Sequence, residues 1–227
     1  SFQSSTKLKY AAKSVFFLGK VLMNQHFFAR RIHSLTGMIP VGIFLVYHLY
    51  TQLYLHQGAE KYNEQTNAFY NSPLAIWLLI IFVYMPLFYH SILGAKLSIE
   101  ATPQPSYHYF AHLLYWLQRI SGIGVLLFIF AHLYNTQVMP LLNHTYGQHF
   151  EHLAEGFASA ETGWLTKSVY LLGILGATFH FANGINTFCM TWGLALTPRA
   201  QLRVRVLSII VFILLTGVSL YSMSAIW

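Results

Sequence analysis

Five long apolar segments dominate this sequence and are separated by short polar stretches. They cover about residues 35–55, 73–96, 113–137, 167–190 and 203–226. Each has about the 20 residues that a helix needs to cross the hydrocarbon core of a bilayer. Charged residues make up only 8% of the chain, whereas a soluble domain has roughly 25%. The sequence therefore predicts an all-α fold, a bundle of five transmembrane helices in a multi-pass membrane protein.

The N-terminal residues 1–26 differ from the rest in being basic and mixed in composition. They contain no compact apolar core followed by a small-residue cleavage site, as a signal peptide would. We interpret them as a cytoplasmic or interfacial extension, either an amphipathic helix on the membrane surface or a basic tail. Residues 27–227 are predicted to form one transmembrane domain.

The distribution of charge predicts how the bundle is oriented. Positive residues collect in short cytoplasmic loops. Lys61 and Lys167 are the only basic residues outside the N-terminal arm and the second and fourth connections with their flanks. The first and third connections instead hold every acidic residue except Glu100. We therefore expect a bacterial cytoplasmic (inner) membrane protein with a cytoplasmic N-terminus and an external C-terminus. Basic residues that flank membrane segments do not form a nucleic-acid surface, so no nucleic-acid partner is expected.

Four histidines lie deep inside four consecutive apolar segments: His48, His90, His132 and His180. An ionisable ring in hydrocarbon is costly and marks a functional site by default. Pro86, four residues before His90, is expected to loosen its helix locally. With a helix rise of about 1.5 Å per residue, His48 lies roughly 20 Å above the inner edge and His132 at a similar height. His90 lies about 9 Å from the inner edge, and His180 lies between that edge and the membrane centre. Depth therefore pairs His48 with His132 and His90 with His180.

Two histidines from facing helices are the ligand set of a haem iron. A structural zinc site needs four converging ligands and a catalytic site three, whereas each level offers two. The single cysteine, Cys189, excludes a cysteine-held cluster or an intrachain disulfide. Glycines near the histidines, such as Gly94, Gly176 and Gly184, would clear space for a macrocycle, although glycine also serves plain helix packing. We expect two haems b between the first four spans.

Polar residues at the inner ends of the first and third spans are candidates to hold haem propionates. The strings Arg30-Arg31-Ile-His33-Ser34-Leu-Thr-Gly37 and Gln118-Arg119-Ile-Ser121-Gly122 each carry an arginine, a hydroxyl and a glycine in similar order. Arginine forms charge-assisted hydrogen bonds with anions, and we assign Arg31 and Arg119 this role. The alternative is anchoring in lipid headgroups, which we favour for Arg30. The remaining histidines, including His144, His149 and His152, are expected to be surface residues.

Four motifs carry a specific resemblance to a known family. They are residues 28–48 with Arg-Arg-Ile-His-Ser, Leu87-Phe-Tyr-His90-Ser-Ile-Leu-Gly94, Leu117-Gln-Arg-Ile-Ser-Gly122 and residues 179–193 around His180. From about residue 27 onward the chain resembles the five-helix, diheme cytochrome b membrane anchor of succinate dehydrogenase and fumarate reductase, respiratory complex II. The single-polypeptide type of Gram-positive and related bacteria is the most similar.

The resemblance implies axial ligands and further contacts. His48 and His132 would bind the distal haem iron, and His90 and His180 the proximal one, which agrees with the pairing by depth. His33, Ser34 and Trp116 match positions that contact proximal propionates in the family. The expected substrate is menaquinone, reached near the distal haem. A carboxylate near the second span would carry protons: Glu64 is preferred over Glu60, although either carboxylate could simply face water.

The resemblance also implies a division of labour within a complex. A flavoprotein subunit and an iron–sulfur subunit would dock on the cytoplasmic side and would hold the FAD and the iron–sulfur clusters. This chain would perform no succinate chemistry and would have no catalytic residue of its own. It would anchor the complex in the lipid bilayer and carry electrons between the iron–sulfur subunit and quinone, in the tricarboxylic acid cycle or in fumarate reduction. A higher oligomer of the complex is compatible with this role.

The residues alone are also compatible with two other functions. Histidines at membrane depth also relay protons in transporters, although transporters usually have internal repeats and broken helices. A haem-binding anchor of another respiratory oxidoreductase, such as a hydrogenase or formate dehydrogenase, would also carry histidine pairs.

Overall fold

The computed structural model describes residues 27–100, 109–145 and 147–227, and these residues form helices with no strand. Five helices are long and apolar enough to cross a membrane. They are α1 (Phe27–Gln57), α3 (Pro73–Ile99), α4 (Tyr109–Leu133, continuing to Leu142), α6 (Gly163–Thr191) and α7 (Pro198–Met223). Two shorter helices, α2 (Ala59–Tyr70) and α5 (His149–Ala158), connect them. The predicted all-α bundle of five spans is confirmed. The predicted extension, residues 1–26, lies outside the described residues.

The two connecting helices were not expected from the sequence, which we interpreted as loops at both places. Hydropathy detects only long apolar runs, whereas α2 is mostly polar and α5 is amphipathic. Neither helix is therefore visible in the hydropathy of the sequence. The first span also begins at Phe27, eight residues before the predicted start, since helical hydrogen bonding continues through a basic turn whatever its hydropathy.

Local sequence explains where the spans begin and end. Ser72 and Thr197 each precede a proline, and their hydroxyls accept hydrogen bonds from the amides of Ala75 and Ala200 at 3.4 and 3.2 Å. A hydroxyl cap followed by proline is a favoured helix start. Gly193, with φ of 74°, follows α6, as glycine commonly does after a helix because it lacks a Cβ.

The spans α1, α3 and α4 each contain a membrane histidine and a proline, and each is locally widened into a π turn. These turns are Gly37–Val41, Ile80–Tyr84 and Tyr134–Val138, next to Pro40, Pro86 and Pro140. Proline has no amide hydrogen, so the carbonyl four residues earlier loses its partner and the helix adjusts. The loosening expected near Pro86 is therefore confirmed. Helices α6 and α7 have no such turn and run as continuous α-helix.

Helix α6 is the centre of the bundle and packs against both α4 and α7. Its buried positions include small and polar residues, with Thr178 only 1% and Ala182 only 2% exposed. Small residues allow close approach of membrane helices, and hydrogen bonds between helices add to the packing. The Thr178 hydroxyl forms such a bond with the Thr216 hydroxyl of α7 at 2.8 Å.

Helices α2 and α5 pack on each other at one end of the bundle, which we call the capped end. Asn63 of α2 donates to the Glu151 carboxylate at 2.8 Å and accepts the Phe150 amide at 2.9 Å. It thereby satisfies a free amide in the first turn of α5. Beneath this contact lies a buried apolar cluster: Leu55, Tyr62, Leu153, Phe157, Tyr170, Ile174 and Met223.

The outer surface of the bundle is apolar. Large side chains such as Leu74, Phe88 and Leu172 are 69%, 70% and 69% exposed. Exposed apolar surface on this scale is rare on a water-soluble monomer. A bilayer of about 30 Å would cover it.

Candidate functional site

The four membrane histidines meet as two pairs at two levels of the bundle. His48 of α1 and His132 of α4 have ring centroids 5.8 Å apart. His90 of α3 and His180 of α6 have centroids 6.2 Å apart. The structure thus brings together the pairs that depth along the helices predicted. We call His48 and His132, which lie nearer the capped end, the outer pair, and His90 and His180 the inner pair.

The separation of each pair suits a shared metal ion. Bonds from a metal to imidazole nitrogen are about 2 Å long, so two rings on opposite sides of one metal have centroids roughly 6 Å apart. Both pairs are within a few tenths of an ångström of that value. The rings are inclined by 73° and 87°, which places two crossed imidazoles at each level.

Hydrogen bonds at Nδ1 leave the other nitrogen of both inner histidines available. His90 Nδ1 donates to the His33 carbonyl at 2.8 Å, and His180 Nδ1 donates to the Gln118 carbonyl at 3.1 Å. In the described part of the chain, Nε2 of neither ring has a hydrogen-bond partner. A histidine that binds metal usually donates its second N–H to a carbonyl or a carboxylate. The inner pair therefore fits haem iron, with Nε2 as the ligand atom.

The outer pair is held differently. His132 Nδ1 lies 3.3 Å from the Tyr170 hydroxyl, and its ring stacks on Phe128 with centroids 5.6 Å apart. The His48 ring stacks on Phe44, also at 5.6 Å. Within the described residues, no hydrogen bond involves the His48 ring. This pair also has the donor atoms that a haem iron requires.

Three glycines make room for the inner histidine rings. A Cβ on Gly122 would lie 2.8 Å from the His180 ring, and a Cβ on Gly94 would lie 2.7 Å from the His33 ring. A Cβ on Gly37 would overlap the His90 ring. The structure places Gly176 and Gly184 against Val125 and Gln118 of α4, where helix packing explains them.

His33 is the third histidine at the inner level. Its ring stacks on the His90 ring, and its Nδ1 donates to the His90 carbonyl at 3.1 Å. No group of three or more metal-ligating side chains has the geometry to hold a metal ion among the residues described. His33 therefore supports His90, and its contact with a propionate remains a prediction.

The other predicted propionate contacts lie near the end of the bundle opposite the cap. Arg31 lies over the rings of Phe27 and Trp192, at 4.4 and 5.1 Å, and donates to the Thr191 carbonyl at 3.4 Å. This stacking places a cation between α1 and α6. Ser34 is half-buried one residue after His33.

Arg119 and Trp116 occupy the first half of α4. The Arg119 guanidinium lies 3.5 Å from the Tyr115 ring centroid and donates to the Tyr115 carbonyl at 3.2 Å. Trp116 donates to His112 Nε2 at 3.0 Å. Among the described residues, Arg119 Nε is buried without a hydrogen-bond partner, so the guanidinium keeps a donor for an anion. The indole of Trp116 has a single N–H, and donating to a propionate would require it to leave His112.

Glu60 and Glu64, the candidates for proton transfer, lie on the exposed face of α2. Glu64 forms an ion pair with Lys61 at 2.6 Å, with side chains 64% and 56% exposed. The hydrogen bond to Glu64 raises the pKa of the Lys61 amine. Both carboxylates face the surroundings of the bundle and not the outer histidine pair.

His149 departs from the expectation that the histidines between the third and fourth spans are surface residues. It is only 7% exposed and stacks on Tyr70, with ring centroids 5.6 Å apart. Burial lowers the pKa of His149 below its ordinary value, and the nearby His152 lowers it further. The expectation was wrong because it ignored the packing of α5 on α2.

Gln118, Asn183 and Tyr170 were not predicted as site residues. The Gln118 amide donates to the His180 carbonyl at 3.1 Å and accepts a hydrogen bond from Asn183 at 2.7 Å. The Gln118 and Asn183 side chains thus hold the turn of α6 that carries His180. The available signal was that uncharged polar groups inside membrane spans form hydrogen bonds between helices.

Comparison with known proteins identifies relatives of this chain. The family model for the succinate dehydrogenase/fumarate reductase transmembrane subunit matches residues 106–220. The succinate dehydrogenase cytochrome b558 subunit of Bacillus subtilis (strain 168) is 34% identical over 204 residues, which cover 89% of this chain and 98% of that protein. No solved structure matches significantly.

These similarities argue against a proton-coupled transporter and against the anchor of a different oxidoreductase. The match to the cytochrome subunit covers nearly the whole chain, including all four membrane histidines. The chain belongs to the family of succinate dehydrogenase and fumarate reductase cytochrome b membrane subunits.

Proposed function

We propose that this chain anchors a succinate:quinone oxidoreductase in the bacterial cytoplasmic membrane and conducts electrons through two haems b. The observation that carries the proposal is the pair of histidine levels, His48 with His132 and His90 with His180. Each pair has the spacing of two imidazoles on one metal. The name of the Bacillus relative, a cytochrome b558 subunit of succinate dehydrogenase, supports the same chemistry.

The residues of this chain would hold and isolate the two cofactors. Nε2 of each histidine would provide an axial ligand, and haem iron bound this way supplies one-electron transfer. The hydrogen bonds at Nδ1 of His90 and His180 fix the orientation of these rings. Arg31 and Arg119, with His33, Ser34 and Trp116, are the proposed partners of the propionates.

The proposed partners are a flavoprotein subunit and an iron–sulfur subunit on the cytoplasmic side, opposite the capped end. Those subunits would carry FAD and the iron–sulfur clusters. The distribution of Lys and Arg supports this orientation. The inner histidine pair would then be nearer to the iron–sulfur subunit, and the outer pair nearer to menaquinone.

Haem analysis of the intact complex tests this proposal. Pyridine haemochrome analysis should give two haems b per copy of this chain, and co-purification should identify the two soluble subunits. His180→Ala should remove one haem and leave the other, and so should His132→Ala. His56→Ala is the matched control, because His56 is exposed and stacks on Tyr221 at the capped end. A wild-type complex with one haem or none would refute the two-haem assignment.

Quinone chemistry at the outer level would exchange protons on the external side. The carboxylates Glu64 and Glu60 are the proposed carriers. In oriented vesicles, menaquinone turnover should change the pH on the external side, and Glu64→Gln should slow that turnover. Glu155→Gln, another exposed carboxylate at the capped end, is the control. A pH change confined to the inner side would contradict external proton exchange.

A further inference from the structure

Tyr170 of α6 contacts the outer pair through its hydroxyl. Its oxygen lies 3.3 Å from His132 Nδ1, and the two rings meet edge to face with centroids 5.9 Å apart. Tyr170 is 8% exposed. A phenol placed in this way can donate or accept at the imidazole edge.

The position of Tyr170 is fixed by the aromatic rings around it. Phe157 of α5 lies 5.0 Å from the Tyr170 ring and Phe128 of α4 lies 5.5 Å from it, each edge to face. Gly173, three residues further along α6, allows this approach, because a Cβ there would overlap the Phe128 ring. The hydroxyl is therefore held at His132 by packing from α4, α5 and α6.

The two levels differ in what accepts a hydrogen bond from the imidazole. At the inner level the backbone carbonyls of His33 and Gln118 are acceptors, and the Ser121 hydroxyl also lies 3.3 Å from His180 Nδ1. At the outer level the His132 ring meets a side-chain hydroxyl, and the His48 ring has no hydrogen bond among the described residues. Among the described residues, His132 Nδ1 thus has the Tyr170 hydroxyl as its partner and no backbone carbonyl, and a substitution can remove this hydroxyl without changing the backbone.

The chemistry of this contact follows from the role proposed for His132. If Nε2 is the ligand atom, Nδ1 of the neutral ring carries the hydrogen and donates it to the Tyr170 oxygen. Such a hydrogen bond fixes the ring and makes the imidazole a more basic ligand. A more basic axial ligand favours the oxidised iron, and hydrogen bonding around a haem is one of the means by which a protein sets its potential.

We propose that Tyr170 is the positioning residue of the outer haem level, and that its hydroxyl orients His132 and lowers the reduction potential there. This proposal rests on the proposed function, because it requires His132 to be an axial ligand. It assigns Tyr170 no contact with quinone or with iron. Its effect is transmitted only through the His132 ring.

Tyr170→Phe tests the assignment in the intact complex, with Tyr62→Phe as the matched control. Tyr62 is 6% exposed in the same apolar cluster, but its hydroxyl donates to Gln52 at 3.0 Å and has no hydrogen bond to a histidine of the described ranges. Redox titration followed optically should resolve each haem, and the outer one is identified as the haem missing in His132→Ala. Low-spin ferric EPR of the same samples reports the geometry of the axial ligands.

Tyr170→Phe should retain two haems and shift only the outer one. We expect the reduction equilibrium to move about tenfold towards the reduced form, which corresponds to about 59 mV for one electron, with a changed outer EPR signal. Tyr62→Phe should leave both potentials in place. Unchanged potentials in Tyr170→Phe, an equal shift of both haems, or the same shift in Tyr62→Phe would overturn the proposal. A wild-type complex without two haems would instead refute the proposed function.

Discussion

The imidazole ring of His33 lies flat on that of His90, with centroids 3.9 Å apart and planes inclined by only 13°. Each ring donates through Nδ1 to the backbone carbonyl of the other residue, at 3.1 and 2.8 Å. This reciprocal pair ties α1 to α3 at the level where His90 meets His180. A residue at the inner end of α1 thereby fixes the ring that is proposed to bind the proximal haem.

His33→Leu should therefore disturb the inner haem more than the outer one. The substitution removes the stacked ring and the hydrogen bond at the His90 carbonyl, although the His33 carbonyl remains as an acceptor for His90 Nδ1. Loss of a residue that supports a metal ligand through hydrogen bonding typically costs about 10-fold to 100-fold in metal affinity. Haem content per chain and the two redox potentials are the measurements. Equal loss of both haems would contradict the expected selectivity.

Gly122→Ala should impair the inner site, whereas Gly124→Ala should not. The new Cβ at Gly122 would lie 2.8 Å from the His180 ring, but nothing lies within 4 Å of a Cβ at Gly124. Both residues belong to α4, where alanine is intrinsically better than glycine by about 1 kcal/mol. Gly124→Ala should therefore keep two haems at equal or higher thermal stability. Identical haem contents in the two variants would show that the His180 ring moves aside freely.

Asn63→Ala should loosen the contact between α2 and α5. It leaves the Phe150 amide and the Glu151 carboxylate without their partner at the capped end. A polar group that is left without its hydrogen-bond partner away from water lowers the free energy of unfolding by about 1–3 kcal/mol. The thermal unfolding temperature of the complex in detergent should fall accordingly. Asn71→Ala is the control, since Asn71 is exposed, and a similar loss in both variants would argue against the contact.

Thr178→Val should weaken the packing of α6 on α7 by a small amount. The Thr178 and Thr216 hydroxyls bond to each other at 2.8 Å, and hydrogen bonds between membrane helices contribute about 0.6 kcal/mol on average. A double-mutant cycle with Thr216→Val should show a coupling energy of this size. Full additivity of the two substitutions would mean that the hydroxyl pair contributes nothing.

The capped end should lose stability in mild acid because of His149. Burial lowers the pKa of this ring in the folded protein, so the unfolded chain, with an ordinary value of about 6.5, binds a proton more readily. The stabilisation that comes from burying the neutral His149 ring is therefore complete above about pH 6.5, and it declines as the pH falls below that value. Thermal unfolding between about pH 7.5 and 5 should show this decline, and His149→Phe should reduce it. An unchanged pH dependence in the variant would contradict the assignment.

Hydropathy was sufficient to predict the number of spans, because the thickness of the hydrocarbon core fixes how many consecutive apolar residues a transmembrane helix needs. The spacing of histidines within the spans was sufficient to predict which of them share a level, because a helix has a fixed rise per residue. His90 and His180 could be paired from the amino-acid sequence for that reason. The local widening of α3 near Pro86 was likewise predictable, because proline lacks the amide hydrogen that an unbroken helix uses.

The contacts of each histidine depend instead on how the helices pack in three dimensions. His180 of α6 donates through Nδ1 to the Gln118 carbonyl of α4, and His132 of α4 meets the Tyr170 hydroxyl of α6. The rise of a helix carries no information about its rotation or about the angle at which it crosses a neighbour. Burial of His149 likewise depends on α5 packing against α2, which hydropathy does not detect. Depth along a helix is a local property of the chain, whereas orientation towards a neighbouring helix is a property of packing.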